Sequence, residues 1–316
     1  MTDVSEPLST SQAHAVFSKI VVPLNGTSEA TAALAPARTM AKATGAAVTL
    51  LTVVDTEAGE ADRTSAKTQL ERVAAELKAE GIQADTLVRR GHPAAEIVAA
   101  TREVHADLVA MATHGRSGLA RVFLGSIAQG VLATSPVPVL LVRPGGHAMT
   151  RLEVVLVPVD GTPGGALALT SAVPLARAVN AQVVLLDVTV PFAAYVPVAG
   201  AGTNGAMLYF DPAWDEEATQ SAKRYVSGMA DRLQQVGVRA RGMDTAGSVL
   251  TPSTSIAEAL IQAADEVEAD LIVMSTHALT GPVRTLLGSV ADAVVRNSHR
   301  PVLLSRRSPS DETMPT

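Results

Sequence analysis

Two short stretches carry residue types suited to holding an anion. Thr113-His114-Gly115-Arg116-Ser117-Gly118 leads into Gly125-Ser126. Glycines let backbone N–H groups approach phosphate oxygens, and a helix opening at Ser126 would present unsatisfied donors and the positive end of its dipole. Ser126 adds a hydroxyl there. The same residues also suit a plain turn and helix start, with Gly115 and Gly118 shaping the turn and Ser126 capping the helix, so residue type alone leaves both roles open. The other stretch is Asn25-Gly26-Thr27, a turn after an apolar run, matched further along by Asp160-Gly161-Thr162.

Other chemistry finds little support. His114 and His277 take equivalent places in two similar loops. No nucleophile or acid accompanies them in both, so they read as loop or ligand-lining residues rather than catalysts. HExxH, GxSxG, GxxxxGK and GxGxxG are absent, and with 0 cysteines there is neither a thiolate nucleophile nor a disulfide framework. HIGH-type and SGGxDS-type phosphate motifs are missing as well, which counts against an adenylylating enzyme.

The elements that must position these stretches come as a repeat. KIVVPLNGTSEATAALAPARTMAKATGAAVTLLTVVD lies over EVVLVPVDGTPGGALALTSAVPLARAVNAQVVLLDVTV, with Asn25 on Asp160. ADLVAMATHGRSGLARVFLGSIAQGVLATSPVPVLLVRP lies over ADLIVMSTHALTGPVRTLLGSVADAVVRNSHRPVLLSRR, with His114 on His277, and Gly81 falls on Gly237 between them. The second copy has therefore gained chain after its second strand and again near Ser248 to Ser255, in predicted loops that tolerate insertion. Short β-branched runs alternate with helical patterns. Copy one predicts strands near Lys19 to Leu24, Ala47 to Val54, Ala84 to Arg89, Leu108 to Thr113 and Val137 to Val142. A helix over Ala61 to Glu80 sets Leu70, Val73, Ala74 and Leu77 on one face. This is the pattern of βαβ units, and the fold class is α/β: two tandem doubly wound domains, each a five-stranded parallel sheet flanked by helices.

Residues 17–143 form the first domain, 144–151 the linker and 152–306 the second domain; 1–16 and 307–316 read as disordered tails. Residues 190–212 are an inserted loop holding Phe192, Tyr195, Tyr209 and Phe210, with Trp214 just beyond. Rings clustered there suit a lid or partner surface, or simple packing onto their own domain. The last strands of the copies are apolar edges, and such edges are usually paired or covered, so Val137 to Val142 and Pro301 to Ser305 are expected to join the domains as a pseudo-twofold pair. A homodimer is a further assembly open to such a chain.

THGRSGLARVFLGS followed by PVPVLLV is similar to the signature stretch of the universal stress protein family, and VVPLNGTSEA and VLVPVDGTPGG resemble its opening strand and turn. The resemblance covers both copies. It implies a Rossmann-like, nucleotide α-hydrolase-like domain in each copy, ATP as ligand, with or without magnesium and with cyclic AMP as the lesser alternative, at most slow ATP hydrolysis, and a role in stress sensing or regulation. ATP-binding members carry Gly, two residues, Gly, nine residues, Gly and then Ser or Thr. Copy one shows Ala112, His114, Gly115 and Arg116 and then Gly125-Ser126; copy two shows Ser275 and Ala278 and then Gly288-Ser289. The family's aspartate after the first strand matches Asn25, behind Pro23, and Asp160. The valine whose backbone meets adenine matches Val53 and Val188. Ala278 puts a methyl where backbone should approach phosphate, so the resemblance implies binding mainly in copy one. A module that has lost its ligand is the alternative.

The 316 residues, 47% apolar and 18% charged, suffice for two buried cores. A net charge of -6 and 3% aromatics argue against a nucleic-acid partner. Met1 to Ser18 is polar and no apolar run is long enough to span a bilayer, so neither leader nor membrane is expected and the cytoplasm is the expected location.

Overall fold

The computed structural model describes residues 17–113, 124–187, 193–197, 206–210, 212–244, 255–275 and 287–305. Copy one runs β1 (Lys19–Pro23), α1 (Leu34–Thr44), β2 (Ala47–Val54), α2 (Glu60–Ala79), β3 (Ala84–Arg90), α3 (Pro93–Glu103), β4 (Leu108–Ala112), α4 (Ser126–Thr134) and β5 (Val139–Val142). Copy two runs β6 (Val154–Pro158), α5 (Pro163–Ala166), α6 (Ala168–Val179), β7 (Gln182–Asp187), β8 (Ala193–Pro197), β9 (Ala206–Phe210), α7 (Pro212–Gln235), β10 (Ala240–Asp244), α8 (Ile256–Glu266), β11 (Leu271–Ser275), α9 (Ser289–Asn297) and β12 (Val302–Ser305).

Copy one orders its strands β5-β4-β1-β2-β3, all parallel, and copy two repeats this as β12-β11-β6-β7-β10. Alternation along the strands feeds two apolar layers. Ile20 and Val22 face the layer of α1 and α2, whereas Val21 faces the layer of α3 and α4. Both layers run on into copy two, through α6 and α7 on one face and α8 and α9 on the other. Side chains buried on both faces are what parallel strands require.

The two five-stranded sheets are one sheet of ten. β12 pairs antiparallel with β5, setting Val302 opposite Leu141, Leu303 opposite Leu140 and Leu304 opposite Val139. All four residues of each strand are buried. The linker is stitched to both copies rather than slung between them. Arg143 Nη1 donates to Asn297 O (3.2 Å) at the carboxyl end of α9, and His147 N–H donates to His299 O (2.6 Å). Met149 is fully buried, and its carbonyl accepts from Thr39 Oγ1 of α1 (2.7 Å).

The insert departs from the loop expected of it. Ala193–Pro197 and Ala206–Phe210 pair as an antiparallel hairpin in a sheet of their own. AAYVP and AMLYF are apolar runs bracketing a glycine-rich turn segment, a hairpin signal that the glycines and prolines around it masked. The two tails lie outside the described residues. Among the described residues no helix is long and apolar enough to cross a membrane.

Candidate functional site

Strand order locates the crevice. β1 and β4 are neighbours, with Ile20 beside Leu108 and Val21 beside Val109. From them α1 goes to one face of the sheet and α4 to the other, so a gap opens at their carboxyl ends, the place where doubly wound sheets take ligand.

The turn after β1 is built by its own side chains. Leu24 N–H donates to Leu51 O (2.7 Å), and Thr52 Oγ1 donates to Leu24 O (2.9 Å). Asn25 Oδ1 then accepts from Thr27 N–H (3.1 Å) and Thr27 Oγ1 (2.8 Å), while Gly26 takes a left-handed φ of 77°. In copy two Asp160 Oδ1 accepts from Thr162 N–H (3.0 Å) and Thr162 Oγ1 (2.6 Å), with Gly161 at 73°. The exchange of Asn for Asp thus changes charge and leaves the turn intact, since both residues own the oxygen that closes it.

Across the crevice α4 opens on glycine. Gly125 is its extended N-cap (φ -60°, ψ 147°), and the Gly125 N–H donates to Thr113 O (2.8 Å). Ser126 is the first helical residue and the N-cap is Gly125, which brings no capping side chain, so the capping role open to Ser126 in the sequence falls to another residue. Copy two repeats the arrangement, with Gly288 (φ -61°, ψ 153°) before Ser289 of α9. Among the described residues, no side chain caps the first-turn amides of either helix.

Pro23 ends β1 beside Leu51, Ala112 ends β4 beside Val142, and half-buried Val53 lies in β2 beside Arg89. Pro23, Asn25, Ala112, Gly125 and Ser126 thus gather at the carboxyl edge of β1 and β4, and Asp160, Gly288 and Ser289 take the matching places in copy two. His114, Gly115, Arg116 and Val188 lie outside the described residues, as do His277 and Ala278. Among the described residues no group of three His, Asp or Glu side chains gathers to hold a metal.

Three further residues join these turns and were passed over in the sequence. Gln69 of α2 reaches over Gly26, where a Cβ would sit 3.0 Å from Gln69 Oε1. In copy two α7 brings Tyr225 to the same position, near enough for the Gly161 N–H to act on the phenol oxygen. Asp187 ends β7 where copy one has Thr52. Extending the repeat alignment through Asn25 and Gly81 sets Thr52 on Asp187 and Gln69 on Tyr225, so the sequence carried the equivalence of these positions but not their place beside the turns.

Burial pushes the half-buried Asp187 carboxyl above the usual carboxylate range, and the charge of Asp160 pushes it further. Burial likewise raises the Tyr225 phenol, with Asp160 and Asp187 adding to the rise and Arg232 and the Gly161 N–H opposing it. A raised carboxyl pKa means that the folded chain holds this proton more tightly than the unfolded chain. Its stabilisation is complete below about pH 3.9 and is lost as pH rises through the folded value. Asp187→Asn should therefore melt higher than the wild type at pH 7.5, with the gain shrinking toward pH 4. Thermal melts at both values decide it, and a lower melting temperature for the variant at pH 7.5 would count against the assigned strain.

Comparison with known proteins agrees with this architecture. A family model described as the universal stress protein family matches residues 17–143 and again 152–306. A universal stress protein of Methanocaldococcus jannaschii is 31% identical over 157 residues, 48% of this chain and 81% of that protein. One from Thermus aquaticus is 36% identical over 138 residues, 40% of this chain and 100% of its own length. The crystal structure of a universal stress protein from Archaeoglobus fulgidus matches with a TM-score of 0.66 over 92% of this chain and 97% of that one, at 21% identity, a likeness of fold.

Proposed function

We propose, for a chain that belongs to the universal stress protein family, that it binds an adenine nucleotide, ATP in the first place, in copy one, and that it acts as a cytoplasmic regulator of the stress response rather than as a dedicated catalyst. The observation that carries this reading is the start of α4, whose N-cap Gly125 brings no capping side chain. Gly125 and Ser126 present amides and a hydroxyl at a helix N-terminus, directly across the crevice from the Asn25 turn. In this reading the phosphates meet the α4 end, Pro23 and Asn25 bound the ribose, and the backbone near Val53 meets the base. Magnesium would travel with the phosphates, and cyclic AMP is the smaller ligand of the same chemistry.

A second reading, a ligand-free interaction module, draws on Ala112, Ser275 and Ala278, which stand where the family's binders carry glycine. Mass spectrometry of small molecules released from freshly purified protein separates the two. An adenine nucleotide at close to one per chain is expected; a chain that releases none and takes up none on titration with ATP is the module instead.

A further inference from the structure

The two crevices share a backbone and differ in charge. At the turn of copy one stand Asn25, Thr52 and Gln69, all neutral. At the turn of copy two stand Asp160, Asp187 and Tyr225. Neighbouring strands force the acids together: β6 and β7 are parallel partners with Pro158 beside Leu186, and the Val159 N–H donates to Leu186 O (2.8 Å), so Asp160 and Asp187 leave adjacent strand ends. Thr52 spends its hydroxyl on the Leu24 carbonyl (2.9 Å), a bond that a carboxylate at the same place cannot donate. Tyr225 closes the outer side of the pair from α7.

Resting on the reading of this crevice as a nucleotide site, we propose that Asp187 is the specificity determinant that bars anionic nucleotides from copy two, leaving ATP to copy one. One carboxylate at this turn is compatible with a nucleotide, whose hydroxyls it can accept. Two neighbouring carboxylates set a like-charge field across the approach of a polyphosphate, and nothing in the neutral trio of copy one does so. The same pair does not repel a neutral nucleoside. Burial strengthens the effect, because the field of a half-buried charge is less screened than that of a solvated one. The raised pKa of Asp187, caused by burial and then by Asp160, is what two such neighbours produce.

Titration calorimetry of the full chain with ATP, in about 50 mM salt at pH 7.5, tests this. The wild type is expected to bind one ATP. Asp187→Asn, which keeps shape and removes charge, and Asp187→Thr, which installs the copy-one residue, are expected to bind ATP in copy two as well, at least about fivefold more tightly than the wild-type copy two. The gain should shrink in 0.5 M salt, should be absent in Asp187→Glu, and should be smaller for uncharged adenosine than for ATP. Gly115→Glu as background silences copy one and isolates the second site. Binding by the wild type with no gain in either neutral variant overturns this inference alone, as does an equal gain for adenosine. No ATP binding by the wild type or by Asp187→Asn overturns the nucleotide reading along with it.

Discussion

Gly115→Glu is expected to weaken ATP binding at least about tenfold, whereas the equivalent Ala278→Glu changes it little. Thr113 O accepts from the Gly125 N–H (2.8 Å), so the two ends of the segment that carries Gly115 meet at the start of α4, where the N-cap Gly125 has no side chain of its own. A glycine in that loop lets its backbone come within hydrogen-bond reach of phosphate, and a glutamate adds bulk and a like charge. Hydrogen bonds to a charged group contribute about 1.5–3 kcal/mol each, and about 1.4 kcal/mol is a factor of ten in affinity. Losing even one therefore reaches the tenfold mark. Ala278 already carries a methyl, and Ser275 replaces the preceding glycine, so copy two has less to lose. Calorimetry on both variants decides the assignment. Equal losses, or a loss confined to Ala278→Glu, would mean that the nucleotide sits in the other copy.

The fold was readable because both copies state it twice. The central strand runs are buried on both faces and the long helices carry an apolar stripe, as when Leu70, Ala74 and Leu77 of α2 all reach the core. The pairing of β5 with β12 was readable for a related reason: VLLV and VLLS have no polar face to turn toward water, so each edge needs a partner. The hairpin β8-β9 was not, because Pro197 and the glycines around it carry the composition of a loop, and only pairing between Ala193–Pro197 and Ala206–Phe210 distinguishes a hairpin from one. At the site, Asn25, Gly125 and Ser126 announced themselves through turn and helix-start chemistry, whereas Ala112 entered only through the family resemblance. Thr52, Gln69, Asp187 and Tyr225 did not, since each lies within a strand or helix whose own period accounts for a polar residue. Their role depends on which turn the neighbouring element brings beside them, and that is a fact of strand order rather than of local sequence.

The junction carries the other large expected effect. Leu140 and Leu303 stand directly opposite each other in the antiparallel β5-β12 pair, and both are fully buried at 0% exposure. They also belong to the apolar layer that runs from α1 and α2 of copy one to α6 and α7 of copy two. Truncating either to alanine should cost about 2–5 kcal/mol, since the methyl groups removed leave a cavity between two packed layers that cannot close over it. Leu303→Asp should cost more. It sets an unpaired carboxylate in the middle of a ten-stranded sheet, where no water reaches it and the opposite side chain is leucine. The physical consequence is a change of cooperativity as well as of stability. A shared layer predicts that the wild type unfolds in one transition by urea, because neither copy can lose its sheet edge without exposing the other's. Parting the β5-β12 seam should split that into two transitions, each copy melting with an open edge of its own, and should raise the tendency to aggregate through those edges. Far-ultraviolet circular dichroism against urea reads both quantities for the wild type, Leu303→Ala and Leu303→Asp. A single transition at an unchanged midpoint in Leu303→Asp would mean that the seam contributes nothing to holding the copies together.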